Sequence, residues 1–493
     1  MRICTTRWMM SIIRVGFFLF ILFSLILIRI STVGAQERRI LLAGASISNI
    51  TPHLGNGIVG NFGDPPLAEY IHDELHARTL VLANGESSLV FVVIDNLSVA
   101  REVFDEAKRL IREETGIDPA NILMSATHTH TATSSSGIGN RRAGWNYGRP
   151  FDEYQLFLIR RIADGVRNAL KNLEPAKIGW GVGNVPQHVF NRRWIMHEKV
   201  LNPFGEYEQV QFNPGVKNKN KKESAGPTDP SVSFISVKAV NGKPISILAN
   251  YSLHYVGGVP KNDISADYFA VFADRIQEII GADRQSPKFV GIMSNGTSGD
   301  INNVDFRGGQ QSYPSYKKIK IVADDVAQEV YRVYKDIKYH SWVPLHAIQK
   351  EVRLKTRRAS EQMKKRAEET LLLHDTVKTK HALERTYARR LIQMEKEYPD
   401  EIEIILQAFR IGDLAVSALP FETFAETGLE IKKKSPFKTT FTIELANGNY
   451  GYLPTPEQHK LGGYETWFST NKVQEDATVI IVQEFMKMFN SMK

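Results

Sequence analysis

Short apolar runs alternate with amphipathic helical stretches along most of this chain, and that alternation restricts the fold more than any other feature. Leu89-Val90-Phe91-Val92-Val93-Ile94 reads as a buried strand. Arg101 to Glu114 follows as a helix with Val103, Phe104, Ala107, Leu110 and Ile111 on one side. A strand at 121–126 and a helix from about Phe151 to Leu173 come next. Val232–Val240 and Pro244–Tyr251 read as strands joined by the turn Asn241-Gly242, a strong hairpin signal. Helix over Asp267–Ile280, strand over Lys288–Met293 and helix over Tyr316–Tyr334 extend the pattern. A second hairpin turns at Gly412-Asp413, and Val479–Met488 is a closing helix. The expectation is an α/β protein with mixed β-sheets flanked by helices in one large domain. The stretch from Ser360 to Tyr398 differs. It is rich in Lys, Arg, Glu, Ala and Leu and reads as a charged helical hairpin turning near His374-Asp375, an excursion over about 356–400.

The first 35 residues read as a targeting segment. Arg2, Arg7 and Arg14 precede an apolar run from Val15 to Ile28, and Val33-Gly34-Ala35 offers a cleavage point. Fourteen helical residues rise about 21 Å, short of a ~30 Å hydrocarbon core. A cleaved signal peptide and an exported protein are therefore expected, with an uncleaved anchor as the alternative. Cys4, the single cysteine, lies in that segment, so thiolate chemistry and disulfides are excluded from the remainder. The formal charge is +8, of which four positive charges fall within residues 1–35, leaving +4 for the rest. Lys217 to Lys222 reads as a solvated loop, with peripheral contact to an anionic membrane as the alternative. No basic stripe interleaved with aromatics suggests nucleic acid, and nothing in the sequence sets the oligomeric state.

Four segments end a strand and then present polar residues where core is expected. They are Thr127-His128-Thr129-His130, Asn250 to His254, Ser294 to Asn303, and Leu419 to Thr423 followed by Tyr450 to Thr455. Ligands in α/β proteins collect at the carboxyl ends of strands. Alternation along a strand would put His128 and His130 on one face, and imidazole is the commonest metal ligand. With 13 histidines in the chain, that pair alone decides little. The 294–303 loop lacks the spacing of a phosphate or dinucleotide cradle.

Taken together, these motifs occur in the order seen in the neutral/alkaline non-lysosomal ceramidases, which the chain resembles from about Ala43 to Trp467. The motifs are Ala126 to His130, the histidine at 254, Gly299-Asp300-Ile301-Asn302-Asn303, Pro420-Phe421-Glu422-Thr423 and Tyr452 to Glu457. The resemblance implies one Zn²⁺ held by His128, His254, Glu422 and Tyr452, with His130 beside it facing the substrate. Arg192, of Asn191-Arg192, and Tyr464 would lie near the substrate. It further implies hydrolysis of the N-acyl bond of a ceramide-like lipid by a metal-activated water, with His130 passing a proton to the leaving amine. Asp300 and Asn302 enter as catalytic candidates because they occupy the glycine-bearing segment.

Departures from the family pattern are also present. Asn302-Asn303 stands where a Ser-Pro is frequent, which favours a zinc-water route over a serine nucleophile. Thr131-Ala132-Thr133 and Phe421 replace other residues of what reads as the pocket wall. No C-terminal immunoglobulin-like domain is expected within the sequence. The rival functions are a metal hydrolase of another N-acyl or ester substrate, or a catalytically silent exported binding protein of the same fold.

Overall fold

Alternate side chains along Ser88–Ile94 (β3) belong to two different cores. Val90, Val92 and Ile94 pack with Phe104, Ile111, Leu158 and Ile162, whereas Leu89, Phe91 and Val93 pack with Phe409, Val416 and Phe441. A strand buried on both faces must be covered on both sides, here by helices on one and by a second sheet on the other. The computed structural model describes residues 39–60, 63–135, 150–309 and 311–493, so the expected targeting segment at 1–35 lies outside the described residues.

The larger sheet contains Leu41–Asn49 (β1), His76–Ala83 (β2), β3, Ile122–Ala126 (β4), Glu174–Asn184 (β5), Ser231–Ala239 (β6), Pro244–Tyr251 (β7) and Val290–Asn295 (β8). Its spatial order is β8-β7-β6-β5-β1-β2-β3-β4. The smaller sheet runs β9-β10-β11-β12, from Leu345–Lys355 (β9), Glu401–Ile411 (β10), Leu414–Ala418 (β11) and Thr439–Ile443 (β12). Phe91 and Phe409 meet between the two sheets with ring centroids 5.3 Å apart. Helices Arg101–Thr115 (α1) and Glu153–Lys171 (α2) cover one half of the larger sheet, and Asp267–Ile279 (α3) and Lys317–Tyr334 (α4) cover the other. The order of layers is thus helices, sheet, sheet, and an outer helix described below.

Three strand pairs in these sheets are parallel: β3 with β4, β7 with β8, and β11 with β12. A parallel neighbour needs a crossover. Each is supplied by one helix: α1, α3, or Ala425–Lys434, numbered α7 because two excursion helices precede it. The carboxyl ends of these strands therefore open the loops that carry the polar motifs.

The charged stretch does form two packed helices, Glu361–Leu372 (α5) and Glu384–Glu397 (α6), closed on a small core of Ala367, Ala388, Leu391, Met394 and Phe468. The short helix Pro456–Leu461 (α8) and the closing helix Ala477–Met492 (α9) complete the chain. The closing helix is longer than the periodicity of 479–488 indicated, because Ala477 before that span and Phe489 and Met492 after it continue its buried stripe over the smaller sheet. Burying a side chain such as Phe485 there contributes about 1.5–3 kcal/mol. Part of the basic run at 217–222 departs from a solvated loop: Lys221–Ser224 is a strand, and the Lys221 ammonium donates to the Val216 and Phe306 carbonyls. Among the described residues no helix is long and apolar enough to cross a membrane.

Candidate metal centre

The β4 strand ends at Ala126, before either histidine of the His-x-His pair. Thr127 donates its backbone bond to Ile94, the last residue of β3, and His128 donates to Asn96 beyond it. His128 then takes φ +73°, a left-handed conformation uncommon for a residue with a side chain. The strand alternation expected from the sequence is therefore broken. The imidazoles of His128 and His130 meet as perpendicular rings with centroids 4.7 Å apart, not as neighbours on one pleat. His254 arrives from the loop after β7. One buried amide, Asn295 Nδ2 at the end of β8, donates to the carbonyls of both Thr127 (3.1 Å) and His254 (3.2 Å). That single side chain holds the two histidine loops together.

The ring nitrogens have defined roles. His128 Nδ1 lies 2.8 Å from the Leu97 carbonyl and His254 Nδ1 lies 3.0 Å from the Ser298 carbonyl. A carbonyl oxygen only accepts, so each Nδ1 carries the proton, and in the neutral ring each Nε2 presents a lone pair. Those two Nε2 atoms face one another at 2.9 Å, and His130 Nε2 is 3.2 Å from that of His128. The ligand atoms of all three histidines lie within 4.8 Å of one another. Burial, then the neighbouring His128 and Arg192, push His254 and His130 well below the ordinary imidazole range. Protonation is thus disfavoured where lone pairs converge, and a shared cation is the arrangement that satisfies them.

Glu422 and Tyr452 come from the other sheet, in loops that follow β11 and β12, and are paired as a short parallel bridge. Glu422 Oε2 is 3.3 Å from His128 Nε2 and 3.7 Å from His254 Nε2, and among the described residues this buried oxygen receives no well-aligned hydrogen bond. Burial works to raise the carboxyl, but His128, the Tyr452 hydroxyl and Arg192 outweigh it and hold Glu422 below its usual range. Tyr452 is raised well above the ordinary phenol by burial and by Glu422. Two or three imidazole nitrogens, one orphaned carboxylate oxygen and one phenol form a donor set that fits a divalent transition cation. Close approach by Gly299 makes this possible: a Cβ there would lie 2.4 Å from the Glu422 carbonyl oxygen. Gly60, at φ +121°, does the same beneath His130, whose Cα a Cβ would meet at 2.7 Å.

The remaining candidates fall into two groups. Arg192 and Tyr464 stand beside the cluster. The Arg192 guanidinium carbon is 5.4 Å from the Tyr452 ring centroid, and Tyr464 packs edge-on to Tyr452 at 5.6 Å. Asp300 and Asn302 are not brought to the imidazoles by any hydrogen bond. Asp300 accepts from Asn191 Nδ2 (2.7 Å) and from the Ala425 amide at the start of α7 (2.8 Å), and burial pushes its carboxyl up to about 7. Asn302 donates to Asn213 (3.0 Å) and accepts from the Val304 amide (2.9 Å), which closes its own loop. Phe421, expected in a pocket wall, is instead fully buried in the core under the smaller sheet, 5.8 Å from Tyr450, because its side chain leaves the backbone on the face opposite Glu422.

Several residues that position the cluster carry no motif of their own. Glu444, fully buried and raised well above the carboxylate range by that burial, accepts from Ser298 Oγ (2.6 Å) and the Thr423 amide (2.8 Å), joining the 294–303 loop, whose Ser298 carbonyl faces His254, to the Glu422 loop. Glu465 receives both Arg192 Nε (2.9 Å) and Arg193 Nη1 (2.7 Å) in a buried triad. Tyr255 stacks on His130 at 3.9 Å. The one available signal was adjacency: Glu465 follows Tyr464, and Tyr255 follows His254.

This α/β sandwich, with its buried histidine cluster, is of a known kind. The family model for neutral/alkaline non-lysosomal ceramidase, N-terminal, matches residues 42–311, more than half of the chain. The fold is similar to the crystal structure of neutral ceramidase from Pseudomonas aeruginosa, with a TM-score of 0.70 and 16% identity over 92% of this chain and 75% of that one. It is similar also to a ceramidase complexed with C2, with a TM-score of 0.69, 15% identity and the same coverage. The chain belongs to the neutral/alkaline non-lysosomal ceramidase family.

Proposed function

We propose that the protein is an exported zinc amidohydrolase that cleaves the N-acyl bond of a ceramide-like lipid to a sphingoid amine and a fatty acid. The observation that carries this reading is the set of unprotonated Nε2 atoms converging on an orphaned Glu422 oxygen inside a ceramidase fold. His128, His254, Glu422 and Tyr452 would hold the cation. Zn²⁺ suits these donors, and when bound it supplies Lewis acidity that brings the pKa of a water near 7.

The chain's own groups then divide the work. Water adds to the amide carbonyl, the C–N bond breaks, and the departing nitrogen must gain a proton before it leaves. His130, half-buried and stacked on Tyr255, turns its Nε2 toward the cluster and is the group placed to hold and deliver that proton. Arg192 keeps a positive charge over the Tyr452 ring, where it favours negative charge on the phenol oxygen or on the developing oxyanion. Asp300 fixes the start of α7, and its role is positioning. Export rests on the leading segment of the sequence.

His254→Ala should lose bound zinc, measured by plasma mass spectrometry, and amide hydrolysis together, with turnover at background. A variant that keeps full activity and metal would overturn the ligand assignment. Release of free amine from a panel of N-acyl sphingoid, N-acyl amino acid and acylated sugar substrates tests the substrate class. Preference for a non-sphingoid amide would replace ceramide with that substrate.

A further inference from the structure

The excursion ends in a tip that is apolar where its flanks are charged. Leu371, Leu372 and Leu373 close α5, and Val377 lies in the connecting loop. Leu372 is 86% exposed and the other three are 37–45% exposed. The tip is held in shape by one arginine: Arg385 of α6 donates to the carbonyls of Leu373 (2.8 Å), His374 (2.7 Å), Val377 (3.2 Å) and Thr370 (3.4 Å). Exposed apolar groups on a loop fixed this firmly have a use.

The spacing says what covers them. A helix that docks in a protein groove presents apolar residues at i, i+3, i+4 and i+7 along one face. Three consecutive leucines at a helix end surround the axis, so no groove along the side of the helix can bury all three. Entry end-on into an apolar layer buries them together. Lys378 and Lys380 are exposed immediately beyond, where long cationic side chains can reach lipid headgroups, and Asp375 is drawn toward Arg385 at 3.8 Å.

The opposite side of the same tip faces inward. A cavity of about 230 Å³ is lined by Val210, Phe212, His381, Leu383, Tyr464 and Trp467. His381 and Leu383 belong to the loop that carries Val377, and Tyr464 packs on Tyr452 of the metal centre. The excursion therefore links an outward apolar tip to a pocket beside the chemistry.

We infer that the tip of the helical excursion docks the protein on a lipid surface, with Leu371, Leu372, Leu373 and Val377 in the acyl layer and Lys378 and Lys380 among the headgroups. Transfer of substrate from that layer into the cavity rests on the proposed lipid-amide activity, but docking itself does not.

The test uses the mature chain from Gln36, in which Leu372→Cys is the single thiol, labelled there with an environment-sensitive fluorophore. Phosphatidylcholine vesicles containing a minority of phosphatidylserine should shift its emission to the blue. Leu371→Ser with Leu373→Ser should lower vesicle partition of the unlabelled chain roughly tenfold or more, and turnover of a water-soluble short-chain amide should stay unchanged. An emission spectrum indifferent to vesicles would overturn the inference even if another part of the chain binds them. A blue shift that depends on protein concentration without lipid would overturn it in favour of self-association. Tip insertion without hydrolysis of any amide would leave the docking intact and defeat the functional proposal instead.

Discussion

The metal centre collects side chains from positions as distant as 128 and 452, whereas the helical excursion is one uninterrupted stretch from Glu361 to Glu397. In the centre the polar groups are buried and the bonds that hold them are specific, as with the Asn295 amide, which donates to two loops at once. In the excursion most charged groups meet water, and Lys364 pairs both with Glu361 on its own helix (3.0 Å) and with Glu395 on the next (3.2 Å). The two regions therefore differ in what a substitution removes. At the centre it removes a partner that water cannot replace. On the excursion it removes one that water replaces at once.

The largest effect on folding should come from Glu465→Ala. It leaves the guanidinium groups of Arg192 and Arg193 without their shared carboxylate in a fully buried place, a loss of about 3–5 kcal/mol in denaturant unfolding. Retention of stability within a few tenths would show that the backbone carbonyls around both arginines suffice and would erase the contrast.

A second test uses pH. Burial raises Asp300 to about 7 from an ordinary 3.8, so its charged form is disfavoured by folding. The folded state binds the proton more tightly than the unfolded chain. Asp300 thus favours folding below pH 4, loses that contribution as the pH climbs to 7, and changes nothing further above. Asp300→Asn should flatten stability between pH 4 and 7 by up to about 3–4 kcal/mol, at 1.36 kcal/mol per unit. An unaltered slope would mean that the Ala425 amide and Asn191 compensate the buried charge. The smallest effect is expected from Lys364→Ala on the excursion, whose thermal midpoint should coincide with that of the unmodified protein. A clear drop would show that these surface pairs act as a network.

The same contrast explains what could be read from the sequence. The excursion was legible in composition, since helix-forming residues without glycine or proline specify two helices locally. The strands at 88–94 and 244–251 were legible because apolar runs bounded by turns have few other solutions. Proximity of His128, His254, Glu422 and Tyr452 was legible only through the order of motifs, since nothing local at any one of them indicates the others. Glu444 and Glu465 were not legible. Each acts through partners far along the chain, and a lone glutamate reads as surface until packing encloses it. The left-handed turn at His128 was missed for a related reason: the surrounding loops impose it against the residue's own preference.

His128 and His254 are carried on the larger sheet, and Glu422 and Tyr452 on the smaller one. An ion gripped by all four would act as a rivet through two plates, adding a further joint to the apolar seam and to the backbone bonds that already tie the ends of the two sheets, such as Glu444 to Asn295. Chemistry and mechanical union would then share a single fastening, and stripping the ion would slacken the sandwich at the same moment that it silenced the site.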